Sequence, residues 1–156
     1  MTQLVLNGRA VTAPADPQLL LGLWLRDSQG LTGLKLACDQ GVCGACTVLV
    51  NDQPMGACHL FVWQVEGQRV ETIESLGSPT RLHPLQQAFH DHGALQCGFC
   101  TPGMILAALA LLRVNPHPTR EEVQAALSGN LCRCTGYRPI IDAVLAAAEA
   151  MAESPP

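Results

Sequence analysis

Charge is scarce in this chain. Lys, Arg, Asp and Glu together make up 14% of its 156 residues, against roughly a quarter in an average domain. The net charge is -4 and no basic stripe occurs, so nothing is available to neutralise a phosphate backbone, which excludes nucleic acid as a partner. Apolar residues reach a near-average 48%. In so small a chain, with much surface for its volume, part of that surface is then neither charged nor free, and a partner protein is expected to cover it. Long apolar runs are also missing. The longest, Met104 to Leu112, falls short of the roughly 20 residues that cross a bilayer. Met1 to Gly8 holds neither a basic n-region nor a sustained apolar stretch, so no export signal and no transmembrane segment are expected, and the location should be cytoplasmic. Neither G-x-G-x-x-G nor G-x-x-x-x-G-K-[ST] is present, so the chain has no loop of its own for dinucleotide or triphosphate. His59, His83, His90, His92 and His117 are scattered, unlike the two His that replace two Cys in a Rieske centre. They are read as surface or packing residues. No nucleophile and base stand out as a pair, and no catalytic residue is expected.

What the chain does hold is eight cysteines in two separate sets of four. The first runs Cys38, Cys43, Cys46 and Cys58; the second runs Cys97, Cys100, Cys132 and Cys134. In a reducing cytosol disulfides are disfavoured, so metal ligation is the better reading. The first set has the C-x4-C-x2-C spacing and later fourth thiolate of plant-type [2Fe-2S] ferredoxins. All-cysteine zinc sites usually pair two short C-x2-4-C knuckles, which this set does not do. Gly41 and Gly44 lie between its first three ligands, where missing side chains let a loop wrap tightly and aim amides at sulfur. The second set is less standard. Cys97-Gly98-Phe99-Cys100 precedes Thr101-Pro102, a helix start whose positive end can face a negative cluster. Cys132 and Cys134 are one residue apart and should sit in a turn permitted by Gly129-Asn130 and Gly136. By spacing alone zinc stays open for this set. Centres of the iron–sulfur kind move electrons one at a time, so electron transfer is the leading function.

The fold class expected is α+β: an N-terminal β-grasp, plant-type ferredoxin domain over residues 1–76, then a four-helix [2Fe-2S] domain over 77–156. Leu4-Val5-Leu6 and Ala10-Val11-Thr12 flank Asn7-Gly8, the dipeptide of a tight hairpin. Asp16 and Pro17 should start a helix from Gln18 to Arg26, with Leu19, Leu20, Leu23 and Trp24 facing the sheet. Thr47 to Val50 reads as a strand that turns at Asn51-Asp52 into Met55 to Cys58, and Arg69 to Ile73 as another. Gly77-Ser78-Pro79-Thr80 is the expected linker. Helices follow over Pro84 to His92, Thr101 to Leu112, Thr119 (a capping-box start) to Ser128, and Pro139 to Met151, with a frayed tail at Ser154-Pro155-Pro156.

Three blocks carry a resemblance: Cys38-Asp39-Gln40-Gly41-Val42-Cys43-Gly44-Ala45-Cys46, Gln96-Cys97-Gly98-Phe99-Cys100-Thr101-Pro102-Gly103-Met104, and Gly129-Asn130-Leu131-Cys132-Arg133-Cys134-Thr135-Gly136-Tyr137. Together they resemble the small iron–sulfur subunit of the xanthine oxidase (molybdenum hydroxylase) family. The resemblance implies two [2Fe-2S] clusters, ligated by Cys38, Cys43, Cys46 and Cys58 and by Cys97, Cys100, Cys132 and Cys134. It implies a large partner subunit with a molybdenum-pterin cofactor and a medium, FAD-binding subunit, with dimerisation of the assembly left open. The helical-domain cluster would lie next to the pterin and the β-grasp cluster towards FAD. Gln96 matches the glutamine that hydrogen-bonds the pterin, and Cys134 the ligand closest to it. Arg133, Tyr137 and Arg138 would be structural or interfacial. Two rival readings are a free-standing ferredoxin-like carrier or redox-sensing binding protein, and a zinc-stabilised interaction module.

Overall fold

Asn7 and Gly8 have φ of 48° and 80°, the left-handed pair that a type I′ turn needs. They close β1 (Thr2–Leu6) onto β2 (Arg9–Ala13) with Leu6 opposite Arg9. Asn51 and Asp52, at φ 47° and 68°, form the second such turn, between β3 (Thr47–Val50) and β4 (Gln53–Gly56). Because that turn takes only two residues, pairing resumes at Gln53 opposite Val50, earlier than the expected start at Met55. Pro54 is tolerated there because β4 is an edge strand. β5 (Arg69–Glu71) pairs parallel to β1 and antiparallel to β3, giving a five-stranded sheet in the order β2-β1-β5-β3-β4. β5 ends before Ile73 because the Asn7 side chain takes over: Thr72 N–H donates to Asn7 Oδ1 at 2.8 Å, and the chain tightens into a 3-10 turn at Ile73–Ser75. The structure, a computed structural model, describes residues 1–153; the expected frayed tail lies outside them.

The first helix differs from expectation. Asp16 Oδ1 accepts the Gln18 N–H at 2.8 Å, but this makes a turn and not a helix start. Leu20 is extended and bridges to Phe61, and Leu21 N–H donates to Leu60 O at 2.7 Å. These tertiary bonds hold the chain out of helical geometry until α1 (Leu21–Leu23), which widens at once into a π-helical turn at Trp24–Ser28. The buried side is therefore Leu21, Trp24 and Leu25, while Leu23 is 43% exposed.

Four longer helices follow: α2 (Pro84–Asp91), α3 (Thr101–Val114), α4 (Arg120–Leu127) and α5 (Arg138–Glu153). The capping box opening α4 is formed, with Glu122 N–H on Thr119 Oγ1 and Thr119 N–H on Glu122 Oε2. Gly93 follows α2 at φ 59°, the left-handed stop of a helix. α3 is apolar all round because it is buried all round, from Gly103 to Ala110 and at Leu112. It lies among the other helices and also on β3.

Two apolar cores result. One gathers Leu4, Leu6, Leu21, Trp24, Leu25, Val48, Val50 and Val70 under the sheet. The other gathers α2 to α5 and takes in Leu49 and Leu76. β3 alternates between them, Val48 and Val50 to one side and Leu49 to the other, which is why four successive residues of this strand are all buried. Among the described residues no helix is long and apolar enough to cross a membrane.

Candidate metal centres

The first cysteine loop wraps around Cys38. The amides of Gln40, Val42 and Cys43 each donate to Cys38 Sγ at 3.4 Å. These amides, Gln40 first, bring the Cys38 thiol down to about 6. Gly41 and Gly44 supply the left-handed backbone the wrap needs, at φ 69° and 70°. Cys43 lies in hydrogen-bonding reach of Cys38, and Cys46 in reach of Cys58. Burial pushes Cys46 up to about 11. The four thiols therefore come as two pairs, one held near the surface by amides and one in the core.

The second set shows the same pairing across two loops. Cys134 Sγ and Cys97 Sγ stand 3.5 Å apart, close to the roughly 3.7 Å between two thiolates on one tetrahedral metal with bonds of about 2.3 Å. Both are exposed, whereas Cys100 and Cys132 are partly buried. Burial, then the neighbouring Cys132, pushes Cys100 up to about 12. At Cys132 burial acts upward too, but the Thr135 hydroxyl and amide prevail and bring it down. The expected turn is formed: Thr135 Oγ1 lies 3.1 Å from Cys132 Sγ, and Gly136 and Tyr137 both adopt φ 70°. Tyr137 is structural, its hydroxyl accepting the Cys132 N–H at 2.9 Å. Cys100 is the N-cap of α3, so the positive helix end meets this site. The Gln96 side chain donates through Nε2 to Cys134 O at 3.1 Å, which brings the expected pterin-binding pair to one exposed end.

Thiols gathered in pairs are what a binuclear cluster needs, since each iron takes two protein sulfurs and shares two inorganic ones. A lone tetrahedral ion needs four at one point. Thr101, beside Cys100, adds a buried hydroxyl without a partner, a donor free for an acceptor from outside the chain. When bound, clusters here would store and release single electrons.

Two features of the site escaped sequence reasoning. Leu131 N–H donates to Cys43 O at 2.8 Å, so one hydrogen bond joins a cysteine of the first set to the neighbour of Cys132. Asn130 is buried and donates from Nδ2 to Gly44 O at 2.9 Å and Thr47 Oγ1 at 3.0 Å. Nothing in Gly129-Asn130 distinguishes a bridging amide from an ordinary turn residue, so this contact had no readable signal.

Comparison with known proteins matches residues 27–90 to the family described as 2Fe-2S iron-sulfur cluster binding domain, and residues 72–145 to the [2Fe-2S] binding domain. The nicotine 6-hydroxylase small subunit of Paenarthrobacter nicotinovorans is 52% identical over 89% of this chain and 84% of its own. The nicotinate dehydrogenase small FeS subunit of Eubacterium barkeri is 47% identical over 92% of each. The chain belongs to the small iron–sulfur subunits of the molybdenum hydroxylase family. Among solved structures, quinoline 2-oxidoreductase from Pseudomonas putida 86 superposes with a TM-score of 0.92 at 46% identity, over 98% of this chain and 96% of that one. This family member binds [2Fe-2S] clusters and acts as the electron-transfer component of an oxidoreductase.

Proposed function

We propose that this subunit carries electrons from a molybdenum-pterin cofactor on a large partner subunit, through two [2Fe-2S] clusters, to FAD on a medium subunit. Cys97, Cys100, Cys132 and Cys134 hold the cluster that receives electrons, and Cys38, Cys43, Cys46 and Cys58 the cluster that passes them on. The observation that carries this reading is the 2.8 Å bond from Leu131 N–H to Cys43 O. It completes a short route, Cys134 to Cys132 to Leu131 to Cys43, from the exposed end of one set to the loop of the other. The division at residues 76 and 77 is supported by the two cores, with Leu49, Leu76 and the half-buried Ile73 crossing into the helical one.

The receiving end is shaped for a partner. In the two loops that carry the second set, Leu95 and Phe99 beside Cys97 and Leu131 beside Cys132 are 41%, 43% and 53% exposed, apolar side chains that a partner would cover. Gln96 spends one donor on Cys134 O and keeps a second donor and an acceptor, which suit the mixed edge of a pterin.

Two outcomes test the assignment. Iron and acid-labile sulfide should each reach about four per chain, with two distinguishable signals after reduction; stoichiometric zinc without sulfide would end the reading. Gln96→Ala should retain both clusters, because it removes no ligand. It leaves a buried polar edge unpaired at a cost of about 1–3 kcal/mol, so cluster reduction by substrate in a single turnover, or molybdenum retention, should drop about tenfold. Unchanged rates with full molybdenum would reduce Gln96 to a surface amide.

A further inference from the structure

His59 stands one residue beyond the fourth cysteine of the first set, and the spacing of the cysteines gives it no role. Its ring is exposed on one side but lies over the first set of cysteines on the other. Nδ1 lies 3.7 Å from Cys58 Sγ, within range of an N–H donor to sulfur. Two glycines make the slot: a Cβ on Gly41 would stand 2.8 Å from Nδ1, and one on Gly56 would stand 2.7 Å from Cε1. The same Gly56 Cβ would be 3.6 Å from Cys46 Sγ, so the space over Gly56 is bordered by both the imidazole and the Cys46 sulfur, while the ring itself reaches Cys58 Sγ. Side chains at either glycine would push the ring off the sulfur.

We infer that His59 sets the reduction potential of the first cluster, by donating its Nδ1 proton to Cys58 Sγ. The inference rests on the proposed ligation of that cluster by Cys58. A metal-bound thiolate carries no proton and can only accept, so Nδ1 must be the donor. Adding one electron to the cluster makes or breaks no bond and increases the negative charge on the sulfurs. A donor aimed at a ligand sulfur stabilises that more negative state, and hydrogen bonding to the sulfurs is an established lever on cluster potential. His59 thereby makes the outer cluster the better electron acceptor and favours flow away from the receiving end. It is a positioning residue, acting through Cys58.

The test is a redox titration of the assembled complex, following the two reduced-cluster signals by electron paramagnetic resonance, with iron counted in each sample. His59→Leu keeps the bulk and loses the donor; His59→Asn places an amide N–H near the position of Nδ1. The expected result is a lower midpoint for one signal in His59→Leu, an unmoved second signal, and a midpoint near wild type in His59→Asn. A shift equivalent to a threefold or larger change in the oxidised-to-reduced ratio at fixed potential is expected. An unmoved midpoint in His59→Leu at full iron, or equal shifts in both variants, overturns the inference. Should His59→Leu bind less iron, the same comparison between His59→Ala and His59→Asn decides it. Absence of two cluster signals in the wild-type complex would instead overturn the underlying ligand assignment.

Discussion

Cys43→Ala is expected to stop onward electron transfer while leaving the substrate able to reduce molybdenum. Cys43 is one of the paired thiols at the surface side of the first set, next to Cys38. Losing it leaves one iron with a single protein sulfur. Removing mere supporting groups around metal ligands costs about 10–100-fold in affinity or activity, so removal of a ligand should lower turnover with the final acceptor by more than about a hundredfold. The second set should be untouched. The group that links Cys43 to it is a backbone carbonyl, which accepts the Leu131 N–H and which alanine retains. Rapid mixing with substrate would then show molybdenum and the second cluster reduced at the normal rate, with electrons held there. Normal onward transfer with loss of molybdenum reduction would invert the proposed order of the two centres.

Much of this was readable beforehand, because the readable parts rest on local chemistry. Asn7-Gly8 and Thr119-x-x-Glu122 specify a turn and a cap through their own side chains and backbone freedom, and both formed as expected. The cysteine spacing likewise pointed to two separate sets of four thiols. Where long-range bonds compete, local signals failed. Asp16-Pro17 is a sound helix start in isolation, but Leu19 to Leu21 are tied to residues Leu60 to Val62, and the helix begins later. The glycines illustrate the same limit. Gly41 and Gly44 were read as freeing the loop to wrap, and their φ values agree. Their missing side chains also make room for groups far away in sequence, the His59 ring at one and Gly129-Asn130 at the other. No pattern within the loop announces those neighbours.

Gly44→Ala should therefore cost far more than a turn glycine normally does. Its φ is 70°, and a Cβ would stand 2.4 Å from Gly129 O, 2.7 Å from Asn130 Nδ2 and 2.9 Å from Asn130 Cα. Ordinary contacts between such atoms are about 3.5 Å or longer, and two of these three neighbours are backbone that cannot rotate away. Left-handed strain of about 1–3 kcal/mol would be joined by overpacking of about 1–3 kcal/mol. The contact broken is the one where the two cysteine loops meet, since Gly44 O accepts from Asn130 Nδ2 and Thr47 Oγ1. Two other glycines separate the causes. Gly67 has φ 71° with nothing within 4 Å of its added Cβ, so Gly67→Ala reports strain alone. Gly103, in α3, has no left-handed backbone, but its Cβ would stand 2.4 Å from Gly44 O, so Gly103→Ala reports the close approach alone. The measurement is iron per chain together with the temperature at which visible circular dichroism bleaches, in the assembled complex. Gly44→Ala should fall furthest on both, Gly103→Ala next and Gly67→Ala least. If Gly44→Ala behaves like Gly67→Ala, the loops do not touch as described, and the Leu131–Cys43 route loses its support.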